Sequence, residues 1–198
     1  MDLSDLDTDP LRQLTSWMEA ARGVGVPQPE SMALATASRD GTPSVRMVIM
    51  RGLDTGLVFF TDYESDKAAE LDANPQATVL FHWWLPVHRQ VRVTGLAVHA
   101  TRGESDRYWA SRPVGSRRSA VASHQSRVVP NREFLESAVA ELEMRFPDDG
   151  AIIRPERWGG FRIEPDAVEF WEERADRLHD RIRYRRGDDV WVTERLSP

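Results

Sequence analysis

The feature of this chain that most constrains its fold is a succession of short strand-forming runs, each closed off by turn-forming residues. Residues 32–38 are small and apolar, Asp40-Gly41 marks a tight hairpin, and residues 44–50 follow. A second turn at 54–56 leads into a strand at 57–61. Residues 77–84 and 90–100 read as a long hairpin, with Leu85-Pro86 near its turn. The chain ends in strands at 160–164, 167–171, 181–185 and 190–196, the last two parted by Gly187-Asp188.

Helical signals intervene. Asp9-Pro10 reads as an N-cap followed by a first-turn proline. Leu11, Leu14, Trp17, Met18 and Ala21 then recur at helical spacing until Gly23. Further helices are predicted from Ser65 to before Asn74-Pro75, and over 103–111, 116–123 and 131–146. Many antiparallel strands with interspersed helices predict a mainly β, α+β fold: a closed or nearly closed antiparallel barrel decorated by helices. The 198 residues suit one domain, 1–198, with 1–9 flexible. The stretch 147–160 reads as a loop, and no internal repeat is present.

Composition narrows the function classes. A net charge of −6 argues against nucleic acid as the main partner, which requires a broad basic face. It leaves room for a small anionic ligand in a local basic pocket. No run approaches the ~20 apolar residues of a membrane span, so no membrane association is expected. The start Met1-Asp2-Leu3-Ser4-Asp5 lacks the basic and apolar regions of a secretory signal, so the expected location is cytoplasmic. The absence of cysteine excludes disulfides, thiol nucleophiles and thiolate metal sites. His82, His88, His99 and His124 show no metal-ligand spacing, and no metal is expected. Gly23-Val24-Gly25 follows a helix and lacks a third glycine, so it is no dinucleotide fingerprint.

Three clusters can carry chemistry. In Arg177-Leu178-His179-Asp180-Arg181, residues two apart share a strand face, which sets Arg177, His179 and Arg181 side by side. Such a row needs an anion or acidic neighbour, or else it is a solvated edge strand with its charges in water. Tyr108 and Arg112 share a helix face, Pro113 ends that helix, and Gly115-Ser116 can start the next. A hydroxyl at a helix start beside an arginine and a tyrosyl OH suits phosphate, and equally a routine serine cap. Arg46 and Arg51 flank Met47, Val48, Ile49 and Met50 on opposite strand faces, with Lys67 after the next strand. They suit two ligands, a ligand and a partner subunit, or plain exposure. Gln90, Gln125 and Ser126 are donors of the kind that fixes a heterocycle or a phosphate.

In order and spacing these clusters resemble the pyridoxamine 5′-phosphate oxidase family. The resemblance rests on Arg46-Met47-Val48-Ile49-Met50-Arg51, Phe59-Phe60-Thr61 with Ser65-Asp66-Lys67, Arg89-Gln90-Val91 and Tyr108-Trp109-Ala110-Ser111-Arg112-Pro113. It continues through Ser123-His124-Gln125-Ser126, Trp158-Gly159-Gly160-Phe161-Arg162 and Glu169-Phe170-Trp171 to Arg177-Leu178-His179-Asp180-Arg181. It runs from Asp9-Pro10 to Pro198. What it implies is an FMN-binding split β-barrel, a homodimer with FMN at the subunit interface.

Carried over by position, Arg46, Lys67, Gln125 and Ser126 would hold the FMN phosphate and ribityl region, with Asp66 adjoining. Met47, Val48, Ile49, Met50 and Arg51, with Phe60 and Thr61, would line the flavin. Gln90, Trp171 and Arg181 would contact the isoalloxazine ring. Arg51, Tyr108, Arg112 and Ser116 would bind a substrate phosphate. Arg177, Leu178 and His179 would sit over its pyridine ring, with Arg177 and His179 as the catalytic pair. The implied reaction is oxidation of pyridoxine or pyridoxamine 5′-phosphate, hydride passing to the flavin and dioxygen yielding hydrogen peroxide.

Three positions depart from the family pattern. Arg51 stands where the family usually has lysine. Asp66 stands where arginine often adjoins the FMN-phosphate lysine. The segment that covers the substrate in other members has no counterpart ahead of Asp9. The phenazine-biosynthesis oxidases of the same superfamily vary at the first two positions and form the alternative enzyme class. A split barrel that binds flavin, haem or deazaflavin without this activity is the non-enzymatic one.

Overall fold

The computed structural model describes residues 1–147, 152–188 and 190–198. The first long element, α1 (Pro10–Gly23), starts where the sequence places it: the Asp9 side chain accepts from the Leu11 N–H at 2.8 Å, and Pro10 occupies the first turn. Its buried stripe of Leu14, Trp17, Met18 and Ala21 packs on the sheet, with Trp17 edge-on to Phe170 at 5.1 Å. Full burial of a side chain such as Leu14 or Met18 contributes about 1.5–3 kcal/mol.

The strands are β1 (Ser31–Ala37), β2 (Pro43–Ile49), β3 (Gly52–Leu53), β4 (Leu57–Asp62), β5 (Gln76–Trp83), β6 (Arg89–His99), β7 (Trp158–Glu172), β8 (Asp180–Arg186) and β9 (Trp191–Arg195). All pairings are antiparallel, in the order β2-β1-β5-β6-β7-β4-β3, with β8 and β9 continuing from β7. The helices are α2 (Asp66–Ala73), α3 (Arg102–Ser111), α4 (Val114–Ala122) and α5 (Arg132–Arg145). Among the described residues no helix is long and apolar enough to cross a membrane.

The predicted strands at 160–164 and 167–171 are one strand, β7. A register shift at Thr94/Gly95 absorbs the extra residue, since Thr94 pairs with Ala167 and Gly95 with Pro165. Gly95 is required there, because a Cβ would meet Glu164 O at 1.9 Å. The bulge is also where the sheet splits. The first half of β7 pairs with β4 and the second half with β8, both opposite β6. The inner face of both halves is apolar: Phe59, Phe161 and Ile163 on one side of the bulge and Val168, Phe170, Ile182 and Tyr184 on the other are buried in one core with Val79, Phe81, Val91 and Val93. The result is an antiparallel, helix-decorated α+β half-barrel, of the split-barrel class that the resemblance implies.

Residues 1–9, expected to be flexible, make two contacts with β8. The Met1 amine donates to Asp180 Oδ2 at 2.8 Å, and the Tyr184 hydroxyl donates to Asp7 O at 2.7 Å. The second contact satisfies Tyr184, whose ring is in the core and whose hydroxyl needs an acceptor. Trp83, the last residue of β5, is buried, and Trp84 just beyond it is exposed.

Candidate functional site

The end of β2, the strand β4, the start of α2 and the α3–α4 junction enclose a cleft of about 570 Å³, within the size range of small-ligand sites. Met47, Val48, Ile49 and Arg51 line one wall. Phe60, Thr61, Lys67 and Gln125 line the base, and Tyr108, Arg112, Ser116 and Trp158 the other wall. A neighbouring hollow shares Phe60, Thr61, Arg112, Ser116, Gln125 and Trp158 and adds Asp62 and Ser123.

Lys67 is buried on the first turn of α2. Its ammonium donates to Gln125 Oε1 at 2.8 Å, Thr61 Oγ1 at 3.1 Å and Ser65 Oγ at 3.2 Å. All three partners are neutral, and among the described residues Lys67 forms no ion pair. Ser65, the residue before α2, is drawn away from capping it; its hydroxyl donates to Asp62 O at 2.6 Å. Burial lowers the Lys67 pKa below the ordinary lysine value, Arg46 adds to this, and Asp62, Asp66 and Glu70 pull the other way. A desolvated ammonium without a counter-ion is costly unless an anion joins it.

The second cation is Arg112. It lies just past the end of α3, and Ser116 is inside the first turn of α4 rather than at its cap, where Pro113 stands. Arg112 Nη2 donates to Ser116 O at 3.0 Å, and the guanidinium lies 4.6 Å from the Trp158 ring centre. It too forms no ion pair among the described residues. Burial lowers its pKa, and the charges of Arg51 and Arg117 act in the same direction. Tyr108, Phe60 and Trp158 form a parallel stack, with Phe60 at 4.1 Å from Tyr108 and 5.6 Å from Trp158. Gly160 makes room for it, since a Cβ there would meet the Phe60 ring at 2.9 Å. Arg51 is exposed, its backbone N–H bonded to Val58 O at 2.7 Å and its guanidinium 5.9 Å from the Tyr108 ring.

Other expected residues flank the cleft. Arg46 is not part of the cleft lining; it bonds Thr36 and, at 2.9 Å, Glu70 Oε2. Burial raises the Glu70 pKa, but hydrogen bonds from Thr36, Ser44 and Arg46 outweigh it and hold the carboxyl below its usual range. The Arg46 charge is therefore already compensated. Met50 is buried. Asp66 and Ser126 meet each other, the Asp66 N–H donating to Ser126 Oγ at 3.3 Å.

The remaining residues lie elsewhere. Gln90 pairs with Trp171, and Trp171 with Arg181, in one row across β6, β7 and β8 on the face opposite the core. Arg181 Nε donates to Glu169 Oε1 at 2.8 Å, and Arg92 bonds the same carboxylate. Arg177 and His179 do not share a strand face with Arg181. β8 begins at Asp180, and Arg177 closes a 3-10 turn (Ala175–Arg177) with φ of 61°. His179 instead packs on Trp171, ring centres 4.7 Å apart, while Arg177 and Leu178 are exposed. Leu178 and His179 line a separate hollow with Arg195, Leu196, Ser197 and Pro198.

One chain therefore brings Lys67 and Arg112, with their neighbours, into one cleft and leaves the Gln90–Trp171–Arg181 row outside. Sequence reasoning missed Trp158, Ser65, Glu70 and Glu169 as site residues. Trp158 stands in a motif quoted above, but nothing in its spacing reveals the stack.

Comparison with known proteins gives the following matches. A family model described as pyridoxamine 5′-phosphate oxidase matches residues 18–146, and one described as the pyridoxine 5′-phosphate oxidase C-terminal dimerisation region matches 158–198. A pyridoxine/pyridoxamine 5′-phosphate oxidase of Paraburkholderia phytofirmans is 46% identical over 201 residues, covering 100% of this chain and 93% of the relative. PhzG from Burkholderia lata 383, solved in complex with tetrahydrophenazine-1-carboxylic acid, is 36% identical with a TM-score of 0.93, covering 98% of this chain and 95% of that one. A pyridoxamine 5′-phosphate oxidase-related, FMN-binding protein of Nostoc punctiforme shares the fold at a TM-score of 0.78 and 19% identity, covering 98% of this chain and 100% of that one.

Proposed function

Because this chain belongs to the pyridoxamine 5′-phosphate oxidase family of FMN-dependent oxidoreductases, we propose that it oxidises pyridoxine or pyridoxamine 5′-phosphate to pyridoxal 5′-phosphate. Dioxygen is the oxidant, hydrogen peroxide the by-product, and the working unit a homodimer. The observation that carries this reading is the presence of two buried or half-buried cations, Lys67 and Arg112, at two places in one cleft and without carboxylate partners among the described residues. Two such cations suit two anionic groups, a cofactor phosphate and a substrate phosphate.

The residues present fit FMN. Lys67, Thr61 and Gln125 would take its phosphate, and Met47, Val48 and Ile49 with Phe60 would line the flavin. Bound FMN supplies the hydride acceptor. Arg112 and Ser116, with Tyr108 and Arg51, would hold the substrate phosphate and orient the ring. The row Gln90, Trp171 and Arg181 would reach the flavin from the second chain. Arg181 would set a cation where charge develops on reduction, tempered by Glu169. Arg177 and His179 would close over the substrate ring.

Purified protein should be yellow, release FMN on denaturation, and form hydrogen peroxide from pyridoxine or pyridoxamine 5′-phosphate. Failure to take up FMN, or FMN-loaded protein that yields no peroxide from either ester, overturns the reading. A second reading, a phenazine-type oxidase, is favoured by one observation: the overlay on PhzG at a TM-score of 0.93. Its substrate would carry a carboxylate instead of a phosphate, which Arg51 and Arg112 would also hold.

A further inference from the structure

Asp62 is at odds with an anion pocket beside it. It follows Thr61 on β4, its side chain is 5% exposed, and its charge acts on Lys67. A lone buried carboxylate there would repel a phosphate or take Lys67 as its own counter-ion. The structure gives Asp62 a different partner. Arg157 Nη1 bonds its Oδ2, and the arginine side chain is 14% exposed. The same guanidinium donates to Ser123 O at 3.2 Å, Ala120 O at 3.1 Å and Val121 O at 2.9 Å. These carbonyls close α4, at the end where a helix carries partial negative charge. The arginine backbone is fixed as well, its carbonyl accepting from the Tyr63 N–H at 2.6 Å.

One guanidinium thus joins the end of β4 to the end of α4. Both ends feed the pocket. Thr61 precedes Asp62, and Ser123 leads within two residues to Gln125, whose amide oxygen meets both Lys67 and Thr61 at 2.8 Å. Arg157 itself lines neither the cleft nor its extension. We propose that Arg157 is a positioning residue for the Lys67 pocket: by occupying Asp62 and tying α4 to β4, it keeps the Lys67 ammonium free for the phosphate of a phosphorylated flavin. The inference rests on the reading of Lys67 as a phosphate ligand. It makes the preference for FMN over riboflavin depend on a residue that touches neither.

The test measures FMN and riboflavin affinity of the full-length apoprotein by flavin fluorescence, with thermal unfolding of each variant. Arg157→Met should weaken FMN by about 30-fold, the scale of one charge-assisted contact, and leave riboflavin within about threefold. Arg157→Lys should fall between, keeping the charge and losing the fork. Adding Asp62→Asn to Arg157→Met should restore most of the FMN affinity, because the stranded charge is gone. Equal weakening of both ligands, unchanged FMN binding, or no recovery in the double variant each overturns the proposal. If Arg157→Met does not fold, Asp62→Asn alone decides, since it keeps an oxygen for the clamp. FMN must then bind as in wild type or tighter, and a selective loss overturns the role. Lys67→Ala separates the two levels. An unchanged FMN preference in that variant overturns the pocket reading itself. A lost preference there, with a wild-type preference in Arg157→Met, overturns only the positioning role.

Discussion

The Lys67 ammonium lies 2.8 Å from the Gln125 amide oxygen, 58 residues further along the chain, and its other partners are two hydroxyls. This contact joins the start of α2 to the loop after α4, and among the described residues the ammonium has no counter-ion. Replacing Lys67 by Ala should weaken FMN about 100-fold while changing riboflavin little, the size expected for a lost charge-assisted bond. The sign of the pH effect follows from burial. The folded pKa is below the ordinary 10.5, so the proton is lost at lower pH than for a free lysine. FMN affinity should therefore fall with rising pH before 10.5 is reached, and the apoprotein should gain stability over the same window, because the unfolded chain holds the proton longer. Titration of both flavins from pH 7 upwards checks this, and equal behaviour of the two removes Lys67 from the phosphate.

Arg51 decides between the two substrate readings. An arginine can grip phosphate as a planar fork, and lysine only as a point charge. With a phosphorylated substrate, Arg51→Ala should reduce kcat/KM at least about tenfold, and Arg51→Lys should keep part of it. The comparison is pyridoxine 5′-phosphate against unphosphorylated pyridoxine in wild type and both variants. Wild-type enzyme that shows no phosphate preference moves the assignment to the phenazine-type chemistry.

Arg177 and His179 sit away from the cleft of their own chain, on a turn whose arginine is in the left-handed region. Under the proposed dimer they act on substrate and not on the cofactor. Arg177→Ala and His179→Ala should each lower kcat/KM by about 100-fold with full FMN content, the scale of a lost transition-state contact. Normal turnover in Arg177→Ala at low and saturating substrate would withdraw its role.

Under the proposed function, the candidate residues divided between the cleft and the outer sheet face come from two chains, in keeping with the dimerisation region matched at 158–198. Sedimentation should find a dimer at micromolar concentration. FMN at 100 times its Kd should raise stability by about 2.7 kcal/mol, since it binds only the native state. A monomer that holds FMN stoichiometrically would refute the shared site.

Gly95 tests the architecture. A methyl at this position would collide with the Glu164 carbonyl, at 1.9 Å, where the bulge turns β7 from β4 towards β8. Gly95→Ala should cost at least about 1–3 kcal/mol and lower the denaturation midpoint, as overpacking does. An unchanged midpoint would mean that the split does not depend on this contact.

The sequence by itself determined the elements and their kind. Asp9-Pro10, the hairpin at Asp40-Gly41 and the turn near Leu85-Pro86 are local signals, and local backbone preference is enough to read them. It also determined the family, through ordered motifs whose spacing survives without coordinates. Tertiary structure decided what depends on partners distant in the chain. The strands at 160–164 and 167–171 merge because a cross-strand neighbour, Gly95, accepts the bulge. The expected face of Arg177, His179 and Arg181 dissolves because β8 starts only at Asp180. Lys67 is left open while Arg46 is closed by Glu70, and Asp62 is silenced by Arg157. Whether a charged side chain is free to bind depends on which opposite charge folding brings within a few ångströms of it. That pairing is a property of three-dimensional packing, and no spacing along the chain encodes it.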